Sequence, residues 1–270
     1  AAVNLDMDRA DETLARARAC KRLLAFSAKG PTTQGTPDIW ARDVRPTGAG
    51  IHFVAHTPSW EEELFLSMPG LFNVENALGA IAACEALGVG QRQVREGLAH
   101  TRVPGRMELL TTSSPKITGI VDYAHNKLSY QRFFSSLSKE FPDCEIIAVF
   151  GAPGGKAFER RQELPQEASR WADYLIFTEE DPAHEPVGEI CAQMARSTPK
   201  GQPHEVILER PRAIERAVEL GFAAKRDAIV CLLAKGDETR QHEGDAFVPC
   251  ETDTTLFYRA VSRQLGQAEP

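Results

Sequence analysis

One rhythm in the second half of this sequence limits what the chain can become. Short, largely apolar runs return at Gly119–Val121, Glu145–Phe150, Tyr174–Phe177, Glu205–Leu208 and Ala228–Leu233. Between them lie stretches of helical spacing near residues 127–140, 160–172, 187–197 and 211–224, with a last one near 254–264. Brief apolar strands that alternate with helices need cover on both faces, and parallel crossovers supply it. The pattern predicts an α/β fold: a Rossmann-like, mostly parallel sheet with helices on both faces.

The first half reads differently. Residues 1–6 look like the end of a strand, followed by a helix over Asp11–Arg22 and a strand over Leu23–Ala28. Short β-runs then appear at Ile39–Val44, Ile51–Ala55 and Glu63–Leu66, with Pro46, Gly48, Gly50 and Pro58 as punctuation. A helix over Asn73–Leu87 should stop at Gly88, and Gln91–His100 forms another. The Pro-Gly interruption in Val103-Pro104-Gly105-Arg106 coincides with a change in charge. Residues 1–107 carry 12 basic and 12 acidic side chains; the totals of 31 and 38 leave 19 basic and 26 acidic for residues 108–270. Two domains are expected, 1–107 and 108–270, the first being the latter part of a mixed α/β domain.

A net charge of −7 argues against general nucleic-acid binding, which depends on Lys and Arg neutralising phosphates. The 42% hydrophobic content excludes a disordered chain, and no apolar stretch reaches the ~18 residues of a membrane span. The six cysteines include no C-x-x-C pair and read as small buried hydrophobes in a reducing, cytoplasmic setting.

In an open α/β sheet, ligands bind beyond the carboxyl ends of the strands. Polar clusters fall on that edge five times. They are Asp122-Tyr123-Ala124-His125-Asn126, the loop from Gly151 to Arg161, Thr178-Glu179-Glu180-Asp181-Pro182-Ala183-His184, Glu209-Arg210, and Lys235-Gly236-Asp237-Glu238. Five clusters on one edge favour a binding site. The glycine-rich loop is no Walker A motif, since Phe150 and Ala157 stand where a glycine and a hydroxyl residue are needed. Two readings of it stay open: backbone N–H groups facing an anion, or a tight turn that needs small residues. Zincin, nucleophile-elbow and dinucleotide fingerprints are absent from the sequence.

The order of these clusters resembles the Mur ligase family, and within it the MurE type. The resemblance is carried by Gly70-Leu71-Phe72-Asn73-Val74-Glu75-Asn76, Pro104-Gly105-Arg106-Met107-Glu108 and Val121-Asp122-Tyr123-Ala124-His125-Asn126. The loop at 151–161, Glu180-Asp181-Pro182-Ala183, Glu209-Arg210 and Lys235-Gly236-Asp237-Glu238 continue it. It implies an ATP-dependent ligase of peptidoglycan precursor synthesis, adding an amino acid to UDP-N-acetylmuramoyl-L-alanyl-D-glutamate. It also implies that the chain is the latter part of such a ligase, without the uridine-binding domain, the phosphate loop, the modified lysine and most Mg2+ ligands. On that view residues 1–270 alone have no ligase activity, and the catalytic residues lie elsewhere.

The same resemblance implies residue roles. Asn73 and Asn76 would offer amides to the adenine, Arg106 a charge to the phosphates, and Asp122 acceptors for the ribose, with Tyr123 and His125 as flat surfaces. From the residues alone, Asn73 could equally be a helix N-cap. Arg161, Glu180, Asp181, Ala183 and Glu238 would form the amino-acid pocket. In meso-diaminopimelate enzymes the third cluster reads D-N-P-R, whose arginine pairs the second carboxylate of the substrate. Ala183 stands there instead, beside Glu180 and Asp181, which favours L-lysine or L-ornithine unless Arg210 substitutes. A folylpolyglutamate synthase-like ligase and a noncatalytic binding remnant are the alternatives.

Overall fold

A computed structural model describes residues 1–31 and 36–267. The chain divides into two compact units, Ala1–Arg102 and Val103–Pro270.

The first unit contains β1 (Ala2–Asn4), α1 (Ala10–Ala17), β2 (Leu24–Ser27), β3 (Ile39–Thr47), β4 (Gly50–His56), β5 (Glu61–Leu66), α2 (Asn73–Leu87) and α3 (Gln91–His100). Its sheet runs in the order β1-β2-β3-β4-β5. The first three strands pair in parallel and the last three antiparallel. Alternation along β4 buries Ile51, Phe53 and Ala55 against α2, through Val74, Leu78 and Ile81. Gly88 ends α2 in the left-handed conformation, as expected from its place after the apolar run. Helix α1 stops at Ala17, five residues short of the expected Arg22; residues 18–22 are all exposed, and their only apolar side chains, Ala19 and Cys20, are too small to hold the turn against a core.

The second unit contains β6 (Glu108–Leu110), β7 (Ile117–Asp122), α4 (Lys127–Glu140), β8 (Glu145–Phe150), α5 (Arg160–Ala168), β9 (Tyr174–Phe177), α6 (Val187–Ser197), β10 (His204–Val206), α7 (Arg210–Ala223), β11 (Ala228–Leu233), β12 (Arg240–Glu243), β13 (Ala246–Pro249) and α8 (Asp253–Gln264). Its sheet order is β10-β9-β8-β11-β7-β6, parallel except for β6. The chain winds outward from β8 to β10 and then returns through α7 to insert β11 between β7 and β8. Helices α4, α5 and α6 pack side by side, and α7 packs with α8. Strand β11 is buried along its whole length, which is why it reads as Ala-Ile-Val-Cys-Leu-Leu without alternation. The reversal of strand order opens the crevice at the carboxyl ends of β7, β11 and β8, where the polar clusters lie.

Candidate functional site

In the first unit, Asn73 is the opening residue of α2 and not its cap; the cap position is Phe72, without a side-chain bond. The buried Asn73 amide donates to the Pro69 carbonyl at 2.7 Å and accepts from Asn76 Nδ2 at 2.9 Å. Asn76 is exposed. The pair is therefore a buried anchor and an exposed amide, of which only Asn76 presents hydrogen-bonding capacity to solvent.

In the second unit, the Pro-Gly-Arg-Met-Glu turn lies against the loop after β11. Gly105 is required there: a Cβ would collide with the backbone of Gly236 and Asp237. The Asp122 carboxylate holds that turn, accepting from Met107 N and Ala124 N, both at 2.8 Å. Burial pushes the Asp122 carboxyl up, against the opposing effect of those two backbone bonds. The Arg106 guanidinium sits 4.3 Å from the Tyr123 ring centroid, and His125 meets the same ring edge-on at 5.1 Å. His125 Nδ1 lies 2.7 Å from the Tyr123 carbonyl oxygen, which fixes the imidazole. Asn126 begins α4 with a reciprocal capping box to Ser129. Arg106, Tyr123 and His125 thus form one flat, cationic surface at the end of β7.

The amino-acid cluster is an array of paired charges. Arg161, 3% exposed, is committed: both of its terminal nitrogens reach the Glu185 carboxylate at 2.9 Å, and it also donates to Pro153 O and Gln193 Oε1. Gly155 N donates to the same Glu185 carboxylate at 2.6 Å. The expectation that Arg161 clamps a substrate carboxylate meets a guanidinium whose two terminal nitrogens already hold this internal one, while its shielded Nε has no partner. Arg210, 4% exposed, makes a two-point bond with Asp253 at 2.7 and 2.5 Å and donates to Leu233 O. It is not available to replace the missing arginine at position 183. Lys235, 2% exposed, reaches Asp181 Oδ1, Glu238 Oε2 and Arg240 O at 3.0, 3.0 and 2.9 Å. Burial opposes its charge, but the bonds to Asp181 and Glu238 outweigh that and hold the ammonium above its ordinary value.

Glu180 is the exception. Its Oε2 is shielded and has no hydrogen-bond partner. Burial raises its carboxyl to about 7, with Asp181 adding to the effect and Arg210, Arg160 and Lys235 opposing it. The loop's remaining cations are Lys156, exposed and in no ion pair among the described residues, and Arg160, whose Nε has no partner. Ala183 adopts a left-handed backbone (φ 50°), its N–H donating to His242 O and its carbonyl accepting from Gly244 N. The hairpin β12–β13 thus fastens the Glu180–Ala183 loop. Gly154 fastens it from the other side: its N–H donates to Asp181 O at 2.9 Å, and a Cβ there would strike the Pro182 carbonyl. At Gly154 and Gly155, then, the loop's N–H groups serve internal acceptors, which favours the tight-turn reading.

Sequence reasoning put Lys235 in a strand-end cluster without giving it a role, and did not place Glu185 or the β12–β13 hairpin in the site. Glu185 was visible only as a loop charge, and β12 (Arg-Gln-His-Glu) carries no apolar signal. Among the described residues no group of three or more His, Cys, Asp or Glu side chains is arranged to hold a metal ion. The residues present do not fit a Mg2+ site.

Residues 105–236 match the family described as Mur ligase, glutamate ligase domain. The chain belongs to the Mur ligase family. A UDP-N-acetylmuramoyl-L-alanyl-D-glutamate–2,6-diaminopimelate ligase from Caldanaerobacter subterraneus subsp. tengcongensis is 35% identical over 232 residues, 84% of this chain and 47% of that protein. A UDP-N-acetylmuramoyl-L-alanyl-D-glutamate–L-lysine ligase from Enterococcus faecalis is 36% identical over 199 residues, 74% and 39% of the two chains. The chain spans about half the length, or less, of these relatives. A solved diaminopimelate ligase structure aligns with a TM-score of 0.63 at 26% identity, covering 98% of this chain and 53% of the other. Folylpolyglutamate synthase from Mycobacterium tuberculosis aligns at 0.68 with 17% identity, covering 97% and 54%; that likeness concerns the Mur ligase fold alone. Relatives with both amino-acid specificities resemble the chain about equally, so the pocket has to decide between them.

Proposed function

We propose that this chain is the amino-acid-selecting portion of an ATP-dependent, amide-forming ligase of peptidoglycan precursor synthesis, and that it selects an amino acid ending in an amine, L-lysine or L-ornithine. The observation that carries the choice is the pairing of charges. Arg161, Arg210 and Lys235 are each neutralised by an internal carboxylate, Ala183 supplies no cation, and the Glu180 carboxylate has a shielded oxygen with no partner. An incoming ammonium meets a shielded carboxylate that lacks a partner; a second substrate carboxylate meets acids.

In the proposed reaction, the γ-carboxylate of the D-glutamate residue attacks the γ-phosphorus of ATP and expels ADP, leaving an acyl phosphate. The α-amine of the diamino acid then attacks the acyl carbon, loses a proton and expels phosphate. This chain's part is positioning. The uncommitted Lys156 and Arg160 would hold the α-carboxylate, Glu180 the distal ammonium, and the Arg106–Tyr123–His125 surface the nucleotide. Glu185 holds Arg161 in place. ATP, UDP-N-acetylmuramoyl-dipeptide and the diamino acid are the partners of this reading, and Mg2+ would be held by residues outside the array described above. The supply of these nucleotides and the six free thiols favour the cytoplasm; no described helix is long and apolar enough to cross a membrane.

The test is amino-acid-dependent ATP turnover by the polypeptide that carries this chain, supplied with UDP-N-acetylmuramoyl-L-alanyl-D-glutamate. L-lysine or L-ornithine should support it and meso-diaminopimelate should not. Preference for diaminopimelate would reject the argument from Ala183 and the paired cations. Placing arginine at position 183 should improve diaminopimelate binding by about tenfold or more, since one charge-assisted bond is worth about 1.5–3 kcal/mol.

A further inference from the structure

Among the described residues Lys235 is the only buried lysine, 2% exposed. Stability does not account for it, since a buried ion cluster replaced by well-packed apolar side chains is often no less stable. Direct contact with a substrate does not account for it either. An ammonium has three N–H donors, and Asp181 Oδ1, Glu238 Oε2 and Arg240 O take one each, at 3.0, 3.0 and 2.9 Å. No donor is left over for a ligand.

What Lys235 does control is the placement of two acids. Asp181 comes from the loop after β9 and Glu238 from the loop after β11, and one nitrogen bonds both. Their bonded oxygens therefore lie no more than two hydrogen-bond lengths apart. Both side chains are part-exposed, at 23% and 33%, and neither has another ion pair among the described residues. Each acid is thus anchored on its buried side by the same cation and still reaches solvent. His242 N adds a second donor to Asp181 Oδ1 at 3.2 Å. The backbone is bent to bring the ammonium there: Ala234 and Gly236, on either side of Lys235, are both left-handed, at φ 83° and 57°. For alanine that conformation is strained, a cost that a lysine pointing to solvent would not require.

We propose that Lys235 is a positioning residue for selection of the amino acid: it holds Asp181 and Glu238 at the spacing that receives the substrate's distal ammonium beside Glu180, and touches no substrate itself. The proposal rests on the diamino-acid reading above. Without the ammonium, two like charges repel and separate, so the loss falls on recognition of a cation.

The experiment compares L-lysine with L-norleucine, which has the same carbon chain without the distal ammonium, as substrates of the polypeptide that carries this chain. The ratio of their kcat/KM values is taken on one preparation, so any loss of folded protein cancels. The natural protein should prefer L-lysine; equal use of the two would reject the diamino-acid reading itself. In Lys235→Met the ratio should fall about tenfold or more, through KM for L-lysine, while KM for ATP stays as it was. A natural preference for L-lysine that survives in Lys235→Met overturns the proposal and leaves the reading standing. Lys235→Arg separates placement from charge. Its guanidinium keeps a cation against both acids, so it folds even where Lys235→Met does not, but the longer planar fork spaces them differently. Its ratio should also fall. Full recovery with arginine would show that any cation serves, and rejects placement by Lys235.

Discussion

At the scale of single residues, burial and pairing decide which charges are available to a ligand. Lys235 and Arg210 are as deeply buried as core leucines, yet each is stable because two or more acceptors surround it. Glu180 lacks such support, and that has a consequence for stability. Its carboxyl titrates at about 7 in the folded chain against 4.5 for an ordinary glutamate. Between those values the folded state binds more protons than the unfolded one, so stability falls as pH rises from about 4.5 to 7. Glu180→Gln removes this loss. The variant should be more stable than the natural chain near pH 8 by about 1–3 kcal/mol, and nearly equal to it near pH 4.5. Urea denaturation at the two pH values measures the difference; equal stabilities near pH 8 would show that burial does not push the Glu180 carboxyl up.

At the scale of elements, helix termini carry the architecture of the site. Arg210 opens α7 and Asp253 opens α8, and their buried bond ties the two helices together beneath the end of β11. Asp253→Asn leaves a buried guanidinium half-unpaired, so the domain should lose about 3–5 kcal/mol in chemical denaturation. A loss below about 1 kcal/mol would place this pair among the exposed ones, which contribute little. The same elements show what could be read from sequence. Strands β8, β9 and β11 and helices α4 and α6 fall on the expected residues, because a strand buried on both faces is written as a short apolar run and nothing else. Strand β10 is shorter than expected: Ile207 and Leu208 leave the ladder, and the segment lies at the edge of the sheet where one side has no partner. Strands β6, β12 and β13 were not expected, since three- or four-residue segments such as Glu108–Leu110 and Arg240–Glu243 have no periodicity to detect. The clusters at the strand ends were legible for the same reason as the strands. Which cation among them is free was not, because pairing across loops 20 to 60 residues apart leaves no trace in spacing. Arg161 and Lys156 look alike in sequence and differ completely in their partners.

At the scale of the whole molecule, the second unit runs past the residues that match the family. The match ends at residue 236, whereas the compact unit continues to Pro270 and includes α8. That helix belongs to the core: Leu256, Phe257, Ala260 and Val261 are buried with Ile117, Val121 and Val230. Leaving Leu256, Phe257 and Val261 without their core should cost about 1.5–3 kcal/mol for each side chain. Losing Asp253 strands Arg210, for a further 3–5 kcal/mol or so. Together these losses reach roughly 8–14 kcal/mol, about the whole stability of an ordinary domain. Residues 103–270 expressed alone should therefore unfold in a single cooperative transition, while residues 103–236 should show none. Calorimetry and near-ultraviolet circular dichroism of the two polypeptides make the comparison. A cooperative transition in the shorter one would mean that α8 decorates the sheet rather than completing it. Arg210 would then have to find another acceptor, and the environment of Glu180, which Arg210 opposes from the same side, would change with it.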